Sequence, residues 1–75
     1  MTSTLNIEQA GLMHVRFSGL SFDLLQADLG ISAHFADDRI KRAVAHALEV
    51  PAFRLREYEI DRHEDGSLTI RPEEV

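Results

Sequence analysis

Between Met13 and Leu24 apolar and polar side chains alternate, and the alternation is interrupted only at Ser18-Gly19. A period of two marks a strand with one buried face. A two-residue loop joins antiparallel neighbours through a primed turn. The pattern therefore predicts a register as well as two strands. A loop at Ser18-Gly19 sets Phe17 opposite Leu20, Val15 opposite Phe22 and Met13 opposite Leu24. Directly opposed residues share a face, so all these apolar side chains fall on one side. Any fold for this chain must cover that side.

The cover comes from further along the chain. Gln26 to Phe35 reads as an ordered loop anchored by Leu29, Ile31 and Phe35, with Gly30 at a bend. From Asp37 to Glu49 the spacing predicts a helix. Ile40, Ala43, Val44, Ala47 and Leu48 recur at helical intervals and form one apolar stripe. Asp37 or Asp38 is expected to cap its free N–H groups, and Pro51 ends it.

The last third repeats the opening. Tyr58 and Ile60 alternate with charged neighbours, as do Leu68 and Ile70 with Thr69 and Arg71. Glu64-Asp65-Gly66 suits a three-residue turn with glycine left-handed. That loop sets His63 opposite Ser67, Ile60 opposite Ile70 and Glu59 opposite Arg71. A two-residue loop at Asp65-Gly66 would pair inward residues with outward ones.

We therefore expect an α+β domain of order ββαββ over residues 12–75, a four-stranded sheet with one helix packed on one face. Residues 1–11 read as an N-terminal arm, disordered or holding a short strand at Leu5 and Ile7. The expected core is Met13, Val15, Phe17, Leu20, Phe22, Leu24, Leu29, Ile40, Val44, Ala47, Leu48, Phe53, Leu55, Tyr58, Ile60, Leu68 and Ile70. The opposite face of the sheet stays wet, with His14, Arg16, Ser21, Asp23, Glu57, Glu59, Asp61, Thr69 and Arg71.

Hairpin, helix and a closing strand beside the first resemble the plan of the β-grasp, or ubiquitin-like, fold. The hairpin from Met13 to Phe22 looks like the opening of such proteins, and the helix from Asp37 lies where theirs does. The segment from Tyr58 through Asp65-Gly66 to Pro72 is similar to the ending of small bacterial members. The resemblance is one of pattern over residues 12–72. It implies a protein-binding module without catalysis. Its modifier form is joined to targets through a C-terminal diglycine, whereas this chain ends Arg71-Pro72-Glu73-Glu74-Val75. Ubiquitin-like proteins bind partners through an apolar patch on the open sheet face. Here that face is charged, with Leu25 its one apolar candidate, so recognition there is expected to be polar.

Composition excludes several classes. The formal charge of −5 repels polyanions, so nucleic acid is not an expected partner. No apolar run exceeds three residues, far short of the roughly 20 a spanning helix needs, and the N-terminus lacks the features of a signal peptide. With no cysteine in 75 residues, the reading is a cytoplasmic protein without disulfides. A chain this short buries only about 60% of its unfolded surface. A thin core with open strand edges makes self-association, as a homodimer, the alternative to a binding module.

No residue set points to catalysis, a cofactor or a metal. His14, His34, His46 and His63 lack the close spacing of a zinc site, and His14 should face Asp23 across the first hairpin. Ser18, Ser21, Ser32 and Ser67 sit in no nucleophile context. Arg39, Arg42 and His46 share one exposed helix face by their spacing, with Lys41 beside them. They read either as a partner surface or as a solvated helix face.

Overall fold

The computed structural model describes residues 11–73. The elements are β1 (Leu12–Phe17), β2 (Leu20–Leu25), a 3-10 turn Ala27–Leu29, α1 (Asp37–Leu48), a second 3-10 turn Ala52–Leu55, β3 (Tyr58–Arg62) and β4 (Leu68–Pro72). The expected arm lies outside the described residues except for Gly11. No helix among the described residues is long and apolar enough to cross a membrane.

The strands form one mixed sheet of order β2-β1-β4-β3, with both hairpins antiparallel and β1 parallel to β4. In the first hairpin Met13 pairs with Leu24, Val15 with Phe22 and Phe17 with Leu20, as the sequence pattern requires. Ser18 and Gly19 both have positive φ, 55° and 79°, which makes the turn a primed one. The second hairpin sets Glu59 opposite Arg71 and Ile60 opposite Ile70. Its three-residue loop closes with His63 N–H donating to Ser67 O at 3.0 Å and Gly66 at φ 92°. Asp65 shapes the loop by accepting from the Ser67 N–H at 2.9 Å and the Ser67 hydroxyl at 2.7 Å.

The core lies along the central pair of strands. Met13 and Val15 of β1 and Leu68 and Ile70 of β4 are wholly buried, together with Ile40 and Val44 of α1 and Leu55. Phe22, Leu24, Tyr58 and Ile60 of the edge strands are partly buried against them.

Three expected core residues are not in the core. Leu20 points toward the helix side but is 61% exposed, because the hairpin tip extends past the cover. Ala47 is exposed while Ala45 is 2% exposed. The stripe is turned toward the flank where the turn Ala52–Leu55 packs on α1. Phe53 is 66% exposed. A 3-10 turn has three residues per turn, so Phe53 and Leu55, two apart, cannot both face inward, and Leu55 does.

The helix start also differs. Its N-cap is Ala36, with no side-chain cap. Asp37 and Asp38 are inside the first turn, where they meet the positive end of the dipole. Asp37 is held by Arg62 at 2.8 Å. Arg62 also donates to Ala33 O at 2.9 Å and Phe35 O at 2.7 Å, tying the pre-helix loop to β3. At the other end Glu49 takes φ 60° and its N–H reaches back to Ala45 O and His46 O, a left-handed helix stop usually left to glycine.

One buried polar residue joins the halves. Gln26 is 6% exposed. Its side-chain amide donates to Leu12 O and Gly66 O, each at 2.9 Å. Its own carbonyl receives the N–H groups of Leu29 and Ile31, each at 3.1 Å. Gln26→Met keeps the volume but leaves two carbonyls without this donor, so urea unfolding should show a loss of about 1–3 kcal/mol. Ile70→Ala should cost about 2–5 kcal/mol, and Leu20→Ala less than about 0.5 kcal/mol. Equal losses would mean that the exposure assigned to Leu20 is wrong.

Candidate functional site

The open face of the sheet is a set of closed local pairs. His14 Nδ1 is hydrogen-bonded to Asp23 across the hairpin. His63 Nε2 meets Thr69 Oγ1 at 2.8 Å. The Arg71 guanidinium lies 2.8 Å from both Glu59 and Asp61. The hydrogen bond from Arg71 holds the Asp61 carboxyl below its usual 3.8, helped by the charges of Arg71 and His63 and opposed by partial burial. Asp65 is likewise held below 3.8, first by the Ser67 hydroxyl and then by its N–H. These groups bond to one another in the plane of the sheet and converge on no common point. Among the described residues no three His, Asp or Glu side chains are arranged to hold a metal ion. Ser67 and Ser32 are both engaged in local turn contacts.

A different surface gathers unsatisfied chemistry. The turn Ala52–Leu55 presents Phe53 outward between two shallow clefts that share Phe53 and Arg56. One, about 350 Å³, is lined by Asp38, Lys41, Arg42, Ala52, Phe53 and Arg56. The other, about 380 Å³, adds Arg54, Glu57, Tyr58, Pro72 and Glu73. In the first cleft three cations face one carboxylate. Lys41 donates to the Arg56 carbonyl at 3.1 Å, which fixes the ammonium without neutralising it. The Arg54 guanidinium sits 5.2 Å from the Phe17 ring, within cation–π range. The Phe17 ring in turn lies 5.9 Å from that of Tyr58.

Salt bridges among the described residues use His14, Arg62 and Arg71. None uses Lys41, Arg42, Arg54 or Arg56. Half of the chain's eight lysines and arginines thus lie around Phe53 with no ion-pair partner among the described residues. What such a surface can do is bind. An exposed aromatic ring supplies apolar area at small entropy cost, and arginines beside it supply directed donors for carboxylates.

Of the residues the helix pattern singled out, Arg42 lines this surface and Arg39 and His46 do not. Arg39 stacks on Phe35 at 4.3 Å. His46 is exposed in the last helical turn. Phe53, Arg54 and Arg56 went unread as a surface because Phe53 and Leu55 were both expected in the core. The available signal was Pro51, which starts a new tight turn there.

Comparison with known proteins finds no matching protein family, no matching curated protein and no matching solved structure.

The Arg71 cluster has a pH signature. A carboxyl whose folded pKa lies below its unfolded value stabilises the fold above that unfolded value. The contribution disappears as pH falls through the folded pKa. Arg71→Gln should therefore be less stable than the parent at neutral pH. The gap should narrow as pH drops below 3.8, the ordinary value for Asp61. Thermal melts of both chains from neutral to acid pH read it directly, and a gap independent of pH would remove the ion pairs from the explanation.

Proposed function

We propose that this domain is a non-catalytic protein-binding module of β-grasp-like, ubiquitin-like layout. We further propose that it docks an acidic partner segment around Phe53. The observation that carries the reading is Phe53 itself. It is 66% exposed and lies between clefts where Lys41, Arg42, Arg54 and Arg56 outnumber the carboxylates Asp38, Glu57 and Glu73, in a chain whose formal charge is −5. A cationic and aromatic surface on an acidic protein favours a partner that carries carboxylates beside an apolar anchor. Aromatic and arginine side chains also dominate measured binding energy at protein interfaces.

The β-grasp part of the reading is supported by the strand order β2-β1-β4-β3, by β4 running parallel to β1 and by the helix lying between the two hairpins in sequence. The docking surface it acquires is not the open sheet face, where His14 with Asp23 and Arg71 with Glu59 and Asp61 are already paired across the strands. Recognition centred on Phe53 is correspondingly part apolar.

The test is a titration of labelled protein with a synthetic peptide in which aspartates and glutamates flank one leucine. Amide shifts should concentrate at residues 41, 42 and 53 to 56, and added salt should weaken binding. Phe53→Ala should weaken it by about 2 kcal/mol, roughly thirtyfold, with the melting temperature unchanged because the ring is exposed. Shifts confined to the open sheet face, or an oligonucleotide binding at Phe53 where the peptide does not, would overturn the assignment.

A further inference from the structure

We infer that β2 is the edge through which two copies of this chain pair, antiparallel, with Phe22 of one chain opposite Phe22 of the partner subunit. The inference does not use the Phe53 surface and stands or falls separately from it.

The argument begins with which backbone groups face outward. Gln26 N–H donates to Gly11 O at 2.8 Å, so the Gly11–Gln26 pair is a hydrogen-bonded one. Hydrogen-bonded and non-bonded pairs alternate along an antiparallel ladder. Stepping by two along the observed register, the bonded pairs are Met13–Leu24, Val15–Phe22 and Phe17–Leu20. Leu20, Phe22 and Leu24 therefore direct their backbone groups to β1. Ser21, Asp23 and Leu25 direct theirs away from it. Among the described residues no strand lies on that side, and none of the three makes any other backbone hydrogen bond there.

Edge strands are normally protected by lysines, prolines, bulges or clustered charge. The segment Leu20-Ser21-Phe22-Asp23-Leu24-Leu25 has one charged residue and no proline or lysine. Asp23 is already matched by His14. Among the described residues, two of the three large apolar side chains exposed on the surface belong to this strand, Leu20 at 61% and Leu25 at 45%.

The other edge is protected. In β3 the groups facing away from β4 belong to Tyr58, Ile60 and Arg62, by the same alternation from the His63–Ser67 bond. Self-pairing centred on Ile60 would set Glu59 against Asp61 of the partner subunit. Like charges directly opposed are destabilising. Arg62 also extends from β3 to the pre-helix loop and Asp37.

A two-fold axis normal to the sheet keeps inward side chains on one side, so inward residues must meet inward residues. The outward backbone groups of Ser21, Asp23 and Leu25 must also meet each other. Centring on Asp23 opposes two carboxylates. Centring on Ser21 drives Asp23 against the turn glycine. Centring on Phe22 satisfies both demands. Phe22 faces Phe22, Leu20 faces Leu24, and Ser21 and Asp23 exchange their backbone hydrogen bonds. The dimer is one continuous sheet with both helices on the same side.

Light scattering over a concentration series should show a mass near twice 8.5 kDa. Ser21→Pro deletes one outward N–H, and Leu20→Lys sets a cation against Leu24 of the partner subunit. Each should weaken the dimer at least about tenfold with the circular dichroism of the parent, since both positions are exposed. The register has its own readout, because the chain has no cysteine. Ser21→Cys and Asp23→Cys chains, mixed and mildly oxidised, should give chiefly the mixed disulfide. A parent chain that stays monomeric, a dimer that both variants leave intact, or disulfides mainly between like chains would overturn the inference. So would a monomer whose amides at 21, 23 and 25 resist hydrogen exchange, since that edge would then be covered within one chain.

Discussion

The parallel contact between β1 and β4 is what turns two hairpins into a domain. Each hairpin is local, held by a short turn and by pairs close in sequence. A parallel pair cannot be made locally, because it needs a crossover of a dozen residues or more. The stretch from Gln26 to Glu57 is that crossover, and α1 with its two flanking 3-10 turns is what the crossover contains. The parallel ladder is short, with Met13–Leu68, His14–Thr69 and Val15–Ile70. Gln26 lengthens it by other means. The carbonyls its amide ties belong to Leu12, just before Met13 on β1, and to Gly66, in the turn two residues before Leu68. A buried amide is costly unless satisfied. Here the same groups that would carry that cost fix the register of the seam.

Charge in this protein is sorted by the sheet. The carboxylates most crowded by strand pairing, Glu59 and Asp61, share Arg71. Asp37 takes Arg62, and Asp23 takes His14. Exposed pairs of this kind contribute little stability each. Their larger consequence is that carboxylates on the sheet side are screened locally while four cations beside α1 are not. The chain is acidic in sum, yet cations gather around Phe53. That contrast, rather than net charge, would steer the approach of a charged molecule.

The features legible in the sequence were those fixed by neighbours along the chain. Both hairpin registers followed from alternation and turn chemistry, down to Glu59 opposite Arg71. The helix was placed to within one residue at its end. The failures share a cause, which is that amphipathicity names a face but not its extent. Leu20 is on the covered face and beyond the cover. Ala45 and Ala47 exchange places because the turn Ala52–Leu55 pulls the buried stripe sideways. Phe53 was misplaced because it was expected in the core together with Leu55, whereas the backbone runs there at period three and only Leu55 faces inward. That error hid the proposed docking surface, since it is an outward Phe53 that draws Lys41, Arg42 and Arg56 into one cleft. Gln26 gave no signal at all, because its partners lie 14 and 40 residues away.

The same geometry explains why the sheet's two margins differ. The wholly buried residues of the sheet belong to β1 and β4, the inner strands, while β2 and β3 contribute side chains that are only partly buried. In so small a domain the margins are where local opening costs least. On β3 the deficit is met within the chain, by Arg71 clamping the acidic side chains and by Arg62 bracing the loop before the helix. On β2 nothing equivalent is present among the described residues. Its bonds to β1 are complete on one side, and its apolar side chains run out past the helix on the other. Burying Leu20 and Phe22 against a second copy would supply the cover that α1 is too short to give, and it would do so without disturbing the seam on which the fold rests.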